Sequence, residues 1–328
     1  MNSAQHSELE RALINNWQGG FPLTPRPFAE IAATLNHREE EVLATLRRLL
    51  EQRTLTRFGP LYNAERMGGS LTLAAMQLPE KEFEAVAALV NDLPETAHNY
   101  RRDHALNMWF VLATDSPLAM EQSLQRIERE SGYPVYAFPK EREYYLGLWF
   151  EIGANGERRT RSLHEPAPQP AFPLTPFDRA IVRHSQAGLP LTLDPWGDLA
   201  TQLDSSRDQL LERIRALLAS GAIRRIGLVP NHYQLGFCGN GMSVWDIPDA
   251  ALDRIGQTLG NFDCVSHCYA RPRHLPLWRY NLFAMVHGRD RKAVTVQIER
   301  IATHLGNDSR AHEILFSSAL LKKSGMRV

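Results

Sequence analysis

A surplus of charge of either sign is what this sequence most plainly lacks. Across 328 residues, 37 Lys and Arg meet 37 Asp and Glu, and the formal net charge is zero. Domains whose main task is gripping phosphate backbones usually carry a basic excess, so the balance argues against that task. It leaves room for a local basic pocket that takes a small polyanion. Cysteine is also scarce: Cys238, Cys264 and Cys268 are the three present, an odd number. The stretch Met1 to Glu10 is polar, without the apolar core of a secretory signal, so reduced thiols and a cytoplasmic setting are expected. No apolar run approaches the length of a bilayer span, which predicts no membrane contact. Gly-rich phosphate loops, the Walker motif, GxSxG and HExxH are all missing, and with them the commonest nucleotide, serine-hydrolase and zinc-protease chemistries.

What is present is a sequence that repeats itself. Leu49-Leu50-Glu51-Gln52-Arg53-Thr54-Leu55-Thr56-Arg57-Phe58-Gly59 aligns with Leu217-Leu218-Ala219-Ser220-Gly221-Ala222-Ile223-Arg224-Arg225-Ile226-Gly227. Asn63 then falls on Asn231, Gly68 on Gly236, Met76 to Glu80 on Trp245 to Asp249, and His98-Asn99-Tyr100 on His267-Cys268-Tyr269. The order is kept while the offset drifts by one residue, the signature of an internal duplication. Between the copies, residues 152–175 show neither helical nor strand period, and their prolines and charges predict a linker. That linker is long enough to let the two halves pack face to face as a built-in dimer.

Each half opens with three short helices: Leu9 to Trp17, Pro27 to Leu35 and Arg38 to Gln52, then Asp178 to Ser185, Gly197 to Leu203 and Ser206 to Ala219. In the last of these, Leu210, Leu211, Ile214, Leu217 and Leu218 make one apolar face. Asp204 or Ser205 can cap it, and Gly221 supplies a left-handed stop. A wing strand follows, Ile223 to Leu228. The period then changes to strand, helix, strand, strand, helix, strand: Leu71 to Leu78, Glu80 to Val90, Thr96 to Arg102, Asn107 to Thr114, Pro117 to Glu130 and Val135 to Phe138. The second copy runs Met242 to Ile247, Asp249 to Leu259, Asp263 to Ala270, Tyr280 to His287, Arg291 to His304 and His312 to Phe316. This βαββαβ order predicts a four-stranded antiparallel sheet with both helices on one face and the other face open to a partner or ligand. The fold class is α+β: a duplicated unit of winged helix-turn-helix plus a ferredoxin-like module. The expected divisions are 1–66, 67–151, the linker 152–175, 176–234 and 235–328.

On a strand, alternate side chains share a face, so His98, Tyr100 and Arg102 point one way, as do His267, Tyr269 and Arg271. Each row spans roughly 13 Å. A lone strand histidine is most often a packed residue with one hydrogen bond. Two matching rows beside arginines are another matter, since buried unpaired arginines are costly. Cys264 and Cys268 fall on the face opposite His267 and no second cysteine pair exists, so metal binding by these thiols is not expected.

The segment from Ser205-Ser206-Arg207 through Ala219-Ser220-Gly221-Ala222-Ile223 resembles the helix-turn-helix and wing of the Lrp/AsnC group. That group consists mostly of transcription regulators. A narrower resemblance is to the siroheme decarboxylases. It is carried by His98-Asn99-Tyr100-Arg101-Arg102-Asp103-His104 with Asn107-Met108-Trp109-Phe110. It is carried again by His267-Cys268-Tyr269-Ala270-Arg271-Pro272-Arg273-His274 with Trp278 to Gly288, and by the ending Leu315 to Gly325. This resemblance implies a carboxy-lyase that removes siroheme acetate carboxyls, giving didecarboxysiroheme on the way to heme d1 or heme. The tetrapyrrole would be the only cofactor-like group. His98, His267, Tyr100 and Tyr269 are the implied catalytic residues, with His98 or His267 also a candidate axial ligand to the substrate iron. A substrate with eight carboxylates needs charge-assisted donors, for which arginine's fork is well shaped. The available supply is Arg101, Arg102, Arg271, Arg273 and Arg279 with Lys322 and Lys323, and His104, His274 and Trp278 complete the expected binding set. The halves differ, since five more residues separate His267 from Asn281 than His98 from Asn107.

The alternatives are a DNA-binding regulator and a haem sensor. The first recognition helix sets Glu39, Glu40, Glu41 and Glu51 against Arg38, Arg47 and Arg48, and the second is only weakly basic. Major-groove readers need donors there. Little or no nucleic-acid binding is therefore expected, and a homo-oligomer remains open. Arg57 and Arg225 follow the recognition helices and are read by default as residues of solvated wings, with an interdomain contact as the alternative.

Overall fold

The computed structural model describes residues 6–147, 149–153, 158–161, 172–231, 234–236 and 239–323, with the backbone alone at 158–161 and 323. Cys238, Ser324, Gly325 and most of 152–175 lie outside the described residues. The chain forms two compact units that group like with like rather than half with half. One contains the chain up to Met67 together with Trp149–Gly236, the other Gly68–Leu148 with Phe237–Val328.

The first unit holds α1 (Glu8–Asn16), α2 (Pro27–Leu35), α3 (Glu39–Glu51) and the strand β1 (Leu55–Tyr62). Their copies are α6 (Pro176–Ser185), α7 (Pro195–Gln202), α8 (Arg207–Ala219) and β9 (Ile223–Pro230). Local chemistry repeats with the fold. Ser7 and Glu10 form a capping box on α1, and Thr175 and Asp178 form the same box on α6, which satisfies helix-start N–H groups that have no partner inside the helix. Each boxed acid also meets an arginine of the third helix: Glu10 with Arg48 at 3.0 Å and Asp178 with Arg213 at 2.5 Å. A second ion pair is kept with its charges exchanged, Arg26 to Glu39 in one copy and Arg207 to Asp194 in the other.

The wings are not solvated. β1 and β9 pair antiparallel with Gly59 opposite Gly227. A Cβ on Gly227 would stand 2.4 Å from the carbonyl oxygen of Trp17, which accepts the N–H of Leu228 at 2.8 Å. The expectation for Arg57 and Arg225 is thereby corrected. Arg57 donates to the carbonyls of Pro60 and Gln186, and Arg225 is buried with its guanidinium 5.9 Å from the Trp149 ring. The linker expectation is corrected as well, because β7 (Trp149–Ile152) pairs antiparallel with β8 (Arg158–Arg161). Trp149, Phe150 and Ile152 are buried, and Asn15 and Gln18 of the first half exchange hydrogen bonds with the backbone of Ile152 and Phe150.

In the second unit, the first module is β2 (Ser70–Met76), α4 (Glu80–Asp92), β3 (Thr96–Arg102), β4 (Met108–Thr114), α5 (Pro117–Ser131) and β5 (Tyr136–Pro139), followed by β6 (Arg142–Leu146). The other is β10 (Gly239–Asp246), α9 (Leu252–Gly260), β11 (Val265–Ala270), β12 (Leu282–Gly288), α10 (Arg291–Leu305) and β13 (Ala311–Lys323). The two expected four-stranded sheets are joined: nine strands run in the order β5-β2-β4-β3-β13-β10-β12-β11-β6. The joining strands are exchanged. Gly241 to Asp246 of β10 pair with residues 311–316 of β13, whose remainder, 317–323, pairs with β3 of the other module. Likewise β5 pairs with its own β2 while β6 pairs with β11 of the other module. Only Lys140 and Glu141 separate β5 from β6, so the ladder returns on itself. Gly256 of α9 makes room for this exchange, since a Cβ there would lie 2.3 Å from the Tyr144 ring.

Among the described residues, the core of this second unit is accordingly in three parts. Under α4 and α5 lie Phe83, Val86, Val90, Phe110, Leu112 and Ile127; under α9 and α10 lie Ile255, Leu259, Val286, Val294, Ile298 and Ile301. The third part fills the inner faces of both sheets with Ala75, Trp109, Phe138, Met242, Val244, Trp278, Tyr280, Phe283 and Leu315.

Candidate functional site

β3 and β11 present the two rows to this inner face. Asn99 bonds to Asn91 of α4 and Cys268 to the Gly256 carbonyl of α9, so these residues face the helices. The neighbouring His98, Tyr100, Arg102 and His267, Tyr269, Arg271 face inward by alternation. The rows match closely. His98 and Tyr100 rings are 6.2 Å apart and His267 and Tyr269 rings 6.0 Å. Arg102 lies 5.7 Å from the Tyr100 ring and Arg271 5.1 Å from that of Tyr269. Each guanidinium also reaches the exchanged strand of the other module: Arg102 donates to the Leu315 carbonyl and Arg271 to that of Phe138. Folding thus brings together what the duplication separates by more than a hundred residues.

Between the rows lies an aromatic interior. Trp109 stacks on Phe138 at 5.2 Å, and Trp278 stands 5.1 Å from Trp109 and 5.8 Å from Phe283. Trp278 comes from the longer second-half connection, which therefore inserts into the inner core. The indole N–H of Trp109 reaches the Leu106 carbonyl. That of Trp278 is buried with no hydrogen-bond partner among the described residues. His104 packs on Trp278 at 5.4 Å; its Nδ1 accepts from the Leu106 N–H, and its Nε2 faces Glu313 at 3.4 Å. Glu313 also accepts from Tyr280 at 2.6 Å, and burial together with that carboxylate raises the Tyr280 pKa. His274 packs edge-on to Phe138 at 4.7 Å and bonds to the Ala137 carbonyl.

Other expected residues stand elsewhere. Arg101 is on the helix side of β3, paired with Glu80 and 4.0 Å from Glu84. Arg273 is held by Asp246, Asp249 and the carbonyls of Ile247 and Arg279, and Arg279 also pairs with Asp246. These three arginines are neutralised by acids of the fold. Lys322 donates to the carbonyls of Asn91 and Leu93 at the end of α4, where a cation suits the helix C-terminus. The side chain of Lys323 is outside the described residues. Cys264 and Cys268 are reduced, and burial raises both thiols, Cys264 to about 11. No three His, Cys, Asp or Glu side chains among the described residues are grouped to hold a metal ion. Among those residues no helix is long and apolar enough to cross a membrane.

Sequence reasoning passed over Lys140, whose ammonium lies 5.9 Å from the Tyr269 ring and 2.7 Å from Glu143. It also gave no role to Ser266, His287 and Asn240, although His287 sat inside the motif that carried the resemblance.

Known proteins match this arrangement. An AsnC-like ligand binding domain matches residues 66–145 and 234–322, and a siroheme decarboxylase NirDL-like HTH domain matches 10–55 and 178–224. A siroheme decarboxylase NirDL subunit of Paracoccus pantotrophus is 35% identical over 97% of this chain and 96% of its own length. The chain belongs to the siroheme decarboxylase family. Membership favours an enzyme over both regulator readings. A siroheme decarboxylase NirG subunit of Pseudomonas aeruginosa is 53% identical over 44% of the chain and 99% of its own length, so one relative is the size of a single half. The crystal structure of a siroheme decarboxylase NirDL in complex with an iron-uroporphyrin III analogue covers 98% of this chain and 93% of its own, at a TM-score of 0.74 and 27% identity.

Proposed function

We propose that this family member decarboxylates acetate side chains of siroheme to give didecarboxysiroheme, with the tetrapyrrole held at the inner faces of the two sheets. The observation that carries the reading is the pair of matched His-Tyr-Arg rows around an aromatic interior. The orphaned Trp278 N–H adds support, since a buried unpaired donor costs about 1–3 kcal/mol and a substrate carboxylate would satisfy it. A flat macrocycle suits the half-buried rings of Tyr100 and Tyr269, beside the buried Trp109, Phe138 and Trp278. Arg102 and Arg271 meet carboxylates, and Tyr100 and Tyr269 stack or donate.

The chemistry balances within substrate and protein. When the carbon–carbon bond to a carboxylate breaks, carbon dioxide leaves and the electron pair passes into the conjugated ring. A proton from an imidazole then completes the methyl group, and water restores the imidazole. An ordinary histidine pKa near 6.5 suits that donor, so the step needs no added cofactor. His98 and His267 take the proton-donor and iron-ligand roles between them. Lys140 joins the substrate-facing groups beside Tyr269, while Arg101, Arg273 and Lys322 serve the fold. Anaerobic incubation with siroheme followed by mass spectrometry tests the reading: successive losses of carbon dioxide are expected, and an unchanged substrate mass refutes it.

A further inference from the structure

Behind His267 stands a chain of three polar side chains. Ser266 Oγ is 2.7 Å from His267 Nδ1 and 2.5 Å from His287 Nε2. His287 Nδ1 in turn meets Asn240 Oδ1. The chain follows from the backbone. A bulge in β11 between Val265 and His267 turns the buried Ser266 toward β12, and His287 is the register partner of Asn240.

The first module has the same bulge and register but none of these groups. The shift in β3 falls between Thr96 and His98, which puts Ala97 in the place of Ser266. Ala113, register partner of Leu71, stands where His287 stands, and Leu71 stands where Asn240 does. Ser, His and Asn on one side are Ala, Ala and Leu on the other.

Burial lowers the His287 pKa to about 4, so near neutral pH this ring is uncharged and carries one proton. A ring with one N–H donates to one neighbour and accepts from the other. With Asn240 Oδ1 able only to accept, the proton sits on His287 Nδ1. Nε2 then accepts from the Ser266 hydroxyl, whose oxygen accepts from His267 Nδ1.

We propose that Asn240, His287 and Ser266 are positioning residues that fix His267, and not His98, in the Nδ1–H tautomer with Nε2 committed to the substrate. His267 Nε2 is then the nitrogen that hands over the proton. Once it has given up a proton, the imidazole is already in the tautomer the chain holds. Around His98 the three equivalent places hold Ala97, Ala113 and Leu71 instead, and the two sites are chemically unequal.

The inference rests on the decarboxylase reading only for its kinetic part. The test uses the full chain labelled with ¹⁵N-histidine, the ring nitrogens assigned to tautomer by NMR, beside anaerobic turnover and siroheme titration. Wild type should show His267 as Nδ1–H. Ser266→Ala, and separately Asn240→Leu, should release that tautomer and lower kcat about 10- to 100-fold, the usual effect of losing a partner behind a functional histidine. Siroheme affinity should stay within about twofold. Asn240→Leu copies the residue of the first module, which guards against a folding artefact. An Nε2–H tautomer in wild type overturns the proposal. So do two variants whose tautomer and kcat match wild type. If the tautomer behaves as described but wild type leaves siroheme intact, the positioning chain stands and the decarboxylase reading falls.

Discussion

Arg102 and Arg271 allow a quantitative test of how the substrate is held. Each is a cation with one N–H committed to a strand carbonyl and its flat face near a tyrosine, and Arg102 is only 6% exposed. The planar guanidinium fork suits a carboxylate. A hydrogen bond to a charged group contributes about 1.5–3 kcal/mol net, which is roughly a 10- to 150-fold change in Kd at about 1.4 kcal/mol per tenfold. Arg102→Leu and Arg271→Leu should each weaken siroheme binding within that range. The double variant should bind more weakly than either single one. Trp109 and Trp278 line the interior, so quenching of their fluorescence by the macrocycle provides the titration. The Leu315 or Phe138 carbonyl loses a partner in each variant, and melting curves must show the proteins folded at the assay temperature. A folded Arg102→Leu with siroheme affinity within twofold of wild type would refute carboxylate binding by this row.

Replacing His98 and His267 separately with Ala should give different phenotypes, one abolishing turnover while binding survives and the other weakening binding or changing the iron spectrum; equal partial losses would indicate two equivalent sites. Asp178 is opposed by burial, yet the hydrogen bonds from Arg213 and Thr175 outweigh it and hold its pKa below the ordinary value of 3.8. Its contribution is therefore present above the unfolded pKa and lost as pH falls through the folded one, so Asp178→Asn should cost about 3–5 kcal/mol near pH 7 and converge on wild type in melts taken below the folded pKa. Arg47 and Arg215 of the third helices bond to the Leu191 and Leu23 carbonyls, so duplex DNA should bind no tighter than about 10⁻⁴ to 10⁻⁶ M near physiological salt; a nanomolar footprint in gel shift would overturn that.

Much of this was open to reading from local pattern. The helix-turn-helix elements follow from apolar spacing, as at Leu210 to Leu218, although the cap of that helix is Ser206 and not Asp204 or Ser205, and the two rows follow from alternation on β3 and β11. Alternation would also have set Arg101 apart from Arg102, had it been applied there. What local pattern could not supply is partnership across distance. Lys322 looks like a free cation until the end of α4 meets it, and Arg273 and Arg279 look like substrate donors until Asp246 does. The strand beyond Phe316 is long because β3 of the other module completes it. The pairing of β7 with β8 was hidden by the prolines and charges around it.

The exchanged strands also bear on how this protein is made. β3 emerges from the ribosome more than two hundred residues ahead of its partner, residues 317–323. Until then the first module exposes an unpaired edge, the kind of surface on which chains aggregate. Its closure waits on a contact spanning more than two hundred residues, a slow kind of step. Two separate half-length subunits would face the same wait, ended by collision rather than by translation. Fusion turns that encounter into an intramolecular one.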